Sequence, residues 1–275
     1  MLRKLIKYEF KATSRFMLLM YGLLLALSAL MSVGLALNLD EAMTTINQEF
    51  QLGGLILAVL VFMIMALFVV MNVVVLSGMF FYSISRFKNN LLGNEGYLMH
   101  TLPVKIRDNI LAKNIVSVIW TILSVVAVGI SYFILFLGIS ETNIFKELLN
   151  VLLQIDWRAH YVGEALIILA EFAVLMLLTI VNTYFHIYAS MAIGYSSNTH
   201  RAAKSIGIYI LIGIASSIFE VVVLTPFAIF GIEVNAMLSY NPHTTLWYGI
   251  IVTAVTTVIY YFVTHYFMSK KLNLQ

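Results

Sequence analysis

Two glutamates, Glu171 and Glu220, each stand inside a long apolar stretch of the chain. A carboxyl group in the hydrocarbon part of a bilayer is costly, so it usually faces the interior of a helix bundle or a water-filled cavity. No lysine or arginine is predicted at the same depth to pair with either one. Three roles stay open for both: a neutral carboxyl that joins helices by hydrogen bonds, a position on a substrate path, or a proton-carrying group.

Sequence motifs of enzymes and metal sites are absent. The chain contains no G-x-x-x-x-G-K-[ST] phosphate loop, no H-E-x-x-H and no G-x-S-x-G. It has no cysteine, which excludes thiolate metal sites and thiol catalysis. Its 6 histidines are scattered, with no two of them three or four residues apart. We therefore expect no catalysis by this chain alone, and no metal or cofactor bound by it.

The composition predicts an all-α membrane protein. Of the 275 residues, 61% are hydrophobic and 11% are charged, whereas a soluble domain carries about 25% charged residues. The apolar runs are continuous and long enough to cross a bilayer, which takes about 20 residues per helix. Backbone groups in lipid must be paired within the segment, and helices satisfy this. The runs predict one membrane domain, residues 1–275, with six transmembrane helices at about residues 16–37, 52–84, 110–137, 162–193, 205–230 and 246–268.

The distribution of basic residues predicts the orientation. With six spans, every lysine and arginine except Lys146 and Arg158 falls on the side of the two termini. Because basic loops stay in the cytoplasm, both termini are expected there, with the chain in the plasma membrane. The net charge of +3 thus reflects topology, and a nucleic-acid partner is not expected.

Residues 1–15 are predicted to form an amphipathic helix on the membrane surface. Its apolar face is formed by Leu2, Leu5, Ile6 and Phe10. Its opposite face is basic and is formed by Arg3, Lys4, Lys7 and Lys11. Glu9 projects from the apolar face. It either reaches water or forms a buried ion pair with a basic group of a neighbouring helix.

The second span and the polar segment after it suggest a contact with a soluble partner. A helix of that span's predicted length measures about 50 Å, well beyond a hydrocarbon core of about 30 Å. Its C-terminal end is therefore expected to protrude into the cytoplasm. In the following segment, 85–114, Gly93 and Gly96 allow a tight turn and Pro103 favours the start of a helix.

Two short patterns resemble a known family. The run Glu95–Pro103, EGYLMHTLP, followed by Lys113, resembles the EGYL…TLP…K signature of small permease subunits of ABC transporters. The opening Lys7–Arg15 is similar to the K-x-E-x-K…R pattern of the same subunits. Members of this type-2 exporter family act in bacterial export of peptides, bacteriocins and antibiotics, or in self-protection.

The resemblance implies a type-2 (type V) ABC exporter fold: six membrane helices preceded by an elbow helix, residues 1–15. It implies a second permease chain, identical or different, and a separate ATPase dimer that binds ATP and Mg²⁺. Glu9 and Arg15 are the expected ion-pairing residues of the elbow. The ATPase-coupling residues are expected in two segments: Glu95, Gly96, Tyr97, Leu98, Leu102, Pro103 and Lys113 in the first, and Asn198 and Arg201 in the second.

The expected function is export of a peptide or an amphipathic toxic compound, with Glu171 and Glu220 as candidates for the substrate path. One alternative is a proton-coupled secondary transporter that uses these two glutamates. It is disfavoured because no internal repeat is visible. Another alternative is an immunity protein that binds a toxic peptide in the membrane without transporting it.

Overall fold

The computed structural model describes residues 1–36, 51–93, 96, 101, 104–139, 144–154, 160–197, 199–229 and 241–271. Within these residues the regular structure is helical throughout, and no strand occurs. The described residues form seven α-helices and one short π-helix. The α-helices are α1 (Leu2–Ala36), α2 (Gln51–Phe87), α3 (Ile106–Ile139), α4 (Ile144–Gln154), α5 (His160–Gly194), α6 (Arg201–Ile229) and α7 (Pro242–Lys270).

Six of the helices, all except α4, are long and apolar enough to cross a membrane. The six predicted spans are thereby confirmed as helices, most of them within a few residues of the expected limits. By length and composition the chain is a multi-pass helical membrane protein. Helix α4 has only 11 residues, fewer than the roughly 20 that a span needs.

Helix α1 is longer than the sequence suggested. It runs without a break from Leu2 to Ala36, so no separate helix over residues 1–15 is distinguished from the first span. The reason lies in the sequence, because no proline or glycine precedes Gly22. Without such a residue the hydrogen-bond ladder has no local cause to stop.

Helix α2 has the extra length that the sequence predicted. Its 37 residues correspond to about 56 Å at 1.5 Å per residue. The helical path then continues as a π-helix, Lys88–Leu92, in which Leu91 and Leu92 are buried. The π-helix closes on Gly93, whose N–H donates to the carbonyl of Lys88 at 2.8 Å. Short π-helices often mark functional positions, and this one lies inside the segment expected to meet a partner.

The chain divides into two compact units, each built from separate stretches of sequence. The first contains Met1–Glu9, Tyr82–Val118 and Asp156–Gln275, and the second contains Phe10–Phe81 and Ile119–Ile155. The two are described one at a time below.

The second unit is organised around Trp120 on α3, which is 1% exposed. Its indole N–H donates to the hydroxyl of Thr13 at 2.6 Å, and its ring stacks on Phe10 with centroids 4.6 Å apart. The hydroxyl of Tyr21 lies 2.7 Å from that of Ser124, one turn along α3. A large buried ring with its polar atom satisfied is a stable way to join helices, and it ties α1 to α3.

The first unit has α5 at its centre, with α6 and α7 both packed against it. Near the C-terminal end of α5 the packing is close, since a Cβ on Gly194 would lie 2.7 Å from the backbone nitrogen of Ser205 on α6. Tyr188 of α5 is fully buried and stacks on Phe87 of α2 with centroids 3.7 Å apart. Helix α5 therefore contacts α2, α6 and α7 within this unit.

Candidate functional site

Three charged side chains from three helices meet in the first unit. Glu9 of α1 accepts from Arg86 of α2 through Nη2 at 2.9 Å and Nε at 3.2 Å. Its other carboxylate oxygen accepts from Nζ of Lys113 of α3 at 2.8 Å. The side chains are only 13%, 24% and 4% exposed for Glu9, Arg86 and Lys113. We call Glu9, Arg86 and Lys113 the ion triad.

Glu9 was expected either to reach water or to form a buried ion pair with a neighbouring helix. In the structure it forms ion pairs with Arg86 and Lys113. Arg15, the other residue expected to form an ion pair near the N-terminus, is exposed and pairs with no described residue. Lys113 was expected at the ATPase-coupling surface, but its ammonium is buried against Glu9. The role of Lys113 in coupling stays a prediction.

Most of the predicted coupling residues cannot be placed. Glu95, Tyr97, Leu98, Leu102, Pro103 and Asn198 lie outside the described residues. Gly96 is described, is buried, and donates its N–H to the carbonyl of Gly93 at 2.8 Å. Arg201 begins α6, where its Nε donates to the carbonyl of Ser197 at 3.1 Å. The coupling role of all these residues stays a prediction.

Glu171 is held by two donors from α7. Nδ1 of His243 lies 2.8 Å from one carboxylate oxygen, and the indole N–H of Trp247 donates to the other at 2.9 Å. The Glu171 side chain is 12% exposed and that of His243 33%. The sequence predicted no lysine or arginine as a partner for Glu171, and the histidine and tryptophan that bind it were not predicted. His243 and Trp247 are four residues apart, hence on one face of a helix, and that spacing was the available signal.

Further along the contact between α5 and α7, Asn182 of α5 forms hydrogen bonds with three residues of α7. Its amide nitrogen lies 2.9 Å from the hydroxyls of both Thr256 and Thr257 and 3.3 Å from the carbonyl of Thr253. One turn on, the ring of His186 lies between two tyrosine rings. The centroid distances are 4.3 Å to Tyr209 of α6 and 5.0 Å to Tyr260 of α7.

These groups form a polar row along α5. Glu171, Asn182, His186 and Ser190 fall within about 100° of helix circumference at 100° per residue. From Glu171 to Ser190 the row covers about 28 Å, close to the roughly 30 Å of a hydrocarbon core. We call these four residues the α5 row. Such residues in a membrane helix mark a functional pathway by default, although hydrogen bonding between helices also uses them.

Glu220 is placed differently from Glu171. It is exposed on α6, and its carboxylate forms no hydrogen bond or ion pair with a described residue. The hydroxyl of Tyr248 of α7 lies 3.5 Å from the backbone carbonyl of Glu220. The structure thus does not bring the two glutamates into one cluster. Within the described residues, no group of three or more histidine, aspartate or glutamate side chains could hold a metal ion.

Comparison with known proteins adds no identification. No family model matches the chain, no curated protein matches it, and no solved structure matches it.

Proposed function

We propose that this chain is the membrane-spanning permease subunit of an ATP-driven exporter of the type-2 ABC kind, working with a separate ATPase. The observation that carries the proposal is the α5 row in a chain with six helices long and apolar enough to cross a membrane. Four polar side chains spaced over the thickness of a bilayer provide a lining along which a polar or charged substrate can cross. The EGYL…TLP pattern supports the proposal as well, because its resemblance to ABC permease subunits implies that the segment after α2 contacts an ATPase.

In this account the ion triad joins the start of α1 to the two helices that flank the coupling segment. Arg86, at the end of α2, stands near the start of segment 85–114, and Lys113, in α3, stands near its end. Movement of the segment when the ATPase closes would thus reach α1 through Glu9. Both termini are cytoplasmic, residues 1–15 act as the elbow at the membrane surface, and the elbow and segment 85–114 share one side of the membrane.

Leu98 and Leu102 provide the test of coupling. Leu98→Asp or Leu102→Asp should leave the membrane bundle folded but should prevent co-purification of the ATPase, since an unpaired carboxylate in the interface costs several kcal/mol. Leu153→Asp is the matched control, because Leu153 is an exposed leucine of α4 and does not belong to segment 85–114. Wild-type recovery of the ATPase with both Leu98→Asp and Leu102→Asp would remove this segment as the coupling element.

A proton-coupled carrier is the second candidate, and one contact favours it. His243 and Glu171 form a carboxylate–imidazole pair that can hold a proton. Such a carrier would transport its substrate without any ATPase, and a protonophore would stop it. The ATP-driven exporter should respond in the opposite way to both treatments.

A further inference from the structure

A cavity of about 270 Å³ lies between α6 and α7 and is partly open. Its walls include Ile212 and Phe219 of α6 and Tyr260 and Val263 of α7. Almost all of its lining is apolar. It sits beside the α5 row, because Tyr260 also stacks on His186.

Two of the three hydroxyl-bearing side chains on the wall, those of Ser216 and Thr256, already form hydrogen bonds. Ser216 donates to the carbonyl of Gly213 at 2.8 Å, within its own helix. Thr256 donates to the carbonyl of Val252 at 3.0 Å and accepts from Asn182 at 2.9 Å. The cavity therefore offers a guest an almost entirely apolar environment, and a charged group that recognises the guest has to stand at its edge.

Glu220 is that group. It follows Phe219 directly and lies four residues after Ser216, so it stands one turn beyond a wall residue on the same side of α6. Its carboxylate has no partner among the described residues, whereas Glu171 has two. An aromatic side chain, Tyr248, approaches the backbone of Glu220 from α7. Apolar walls, aromatic rings and one unpaired carboxylate together suit a ligand with an apolar body and a positive charge.

We propose that the cleft between α6 and α7 binds an amphipathic organic cation, with its apolar part in the cavity and its charge beside Glu220. This names the substrate class of the proposed exporter and rests on that function for its physiological meaning. Binding itself needs no ATPase. A failed binding test would leave the exporter proposal standing, and a failed transport test would leave the site standing.

Two probes with the same tail separate charge from hydrophobicity. Decyltrimethylammonium is permanently cationic, and N,N-dimethyldecylamine N-oxide is zwitterionic and uncharged overall at pH 7. Their binding is measured below micellar concentration to the full chain in phosphatidylcholine nanodiscs. The wild-type chain should bind the cation about tenfold or more tightly than the amine oxide, because a carboxylate attracts only the former in a low-dielectric site.

Four variants make the result specific. Glu220→Gln should remove the preference for the cation and leave the amine oxide within about twofold, whereas Glu220→Asp should retain the preference. Glu164→Gln, an exposed carboxyl on α5, serves as control and should not alter the preference. Ala215→Phe fills the cavity from a wall position and should weaken both probes about tenfold.

Three outcomes would overturn the proposal. The first is equal affinity of the wild-type chain for both probes. The second is an undiminished preference for the cation in Glu220→Gln, or unchanged binding of both probes in Ala215→Phe. The third is loss of probe binding when phosphatidylethanolamine replaces phosphatidylcholine, since a lipid headgroup would then be the natural occupant.

Discussion

The geometry of the ion triad predicts which of its three charges contributes most to the free energy of unfolding. Glu9 carries one negative charge against the two positive charges of Arg86 and Lys113. Glu9→Gln leaves both cations without their anion in a mostly buried site. Breaking a buried ion pair from one side costs about 3–5 kcal/mol, so Glu9→Gln should lower the free energy of unfolding by about this amount.

Lys113→Met should have a smaller effect, although Lys113 is the most buried of the three at 4% exposure. Glu9 keeps both contacts with Arg86 on its other oxygen, at 2.9 and 3.2 Å, and the site becomes neutral. What is lost is one charged hydrogen bond, and one acceptor is left unsatisfied, which corresponds to about 1–2 kcal/mol. Lys113 is more buried than Glu9, but its replacement is expected to cause the smaller loss of stability.

The assay is equilibrium unfolding in mixed micelles of a mild and a denaturing detergent, followed by tryptophan fluorescence. Lys88→Met is the control, because Lys88 is an exposed lysine of the π-helix, and it should change stability by less than about 0.5 kcal/mol. If Glu9→Gln destabilises the chain no more than Lys113→Met does, the reasoning that two unpaired cations cost more than one lost hydrogen bond is refuted. This holds even if both variants are unstable.

Three more predictions concern helix packing and topology. Asn182→Leu removes an amide whose two N–H groups serve three acceptors on α7, and should destabilise the chain by about 1–2 kcal/mol in the same assay; no loss would mean that the α5–α7 seam does not depend on it. Gly194→Ala places a Cβ 2.7 Å from the Ser205 nitrogen and should cost about 1–3 kcal/mol, while Gly163→Ala, with nothing within 4 Å, should be neutral or slightly stabilising; equal effects would contradict the close approach. Single cysteines at positions 45, 145 and 235 of this cysteine-free chain should react with an impermeant thiol reagent outside intact cells, and cysteines at 94 and 198 should not; labelling at 94 would reverse the orientation.

The helices were predictable because lipid permits little else for long apolar runs. Predicted spans 162–193 and 205–230 correspond to α5, His160–Gly194, and α6, Arg201–Ile229. The start of α1 was not predicted, since an amphipathic opening followed by an apolar run has the same pattern whether one helix or two result. Only the absence of proline and glycine before Gly22 indicated the continuous helix.

The partners of the candidate residues were harder to predict than the residues. Glu9 stood out because a carboxylate on an apolar face needs an explanation, but Arg86 and Lys113 lie 77 and 104 positions away in sequence. Glu171 stood out by its depth, yet its partners are a histidine and a tryptophan 72 and 76 positions away. Periodicity identifies which face of a helix is unusual, and only the fold determines what that face meets.

The most direct test of the ATP-driven exporter is the energy source of transport by the purified chain. Decyltrimethylammonium flux and ATP hydrolysis are measured in proteoliposomes that contain the chain alone or together with the ATPase that co-purifies with it. The proposed function predicts that the chain alone hydrolyses no ATP, and that flux requires both the ATPase and ATP and persists in the presence of a protonophore. Robust ATP turnover by the chain alone, or flux that needs no ATP and collapses with the protonophore, would contradict it.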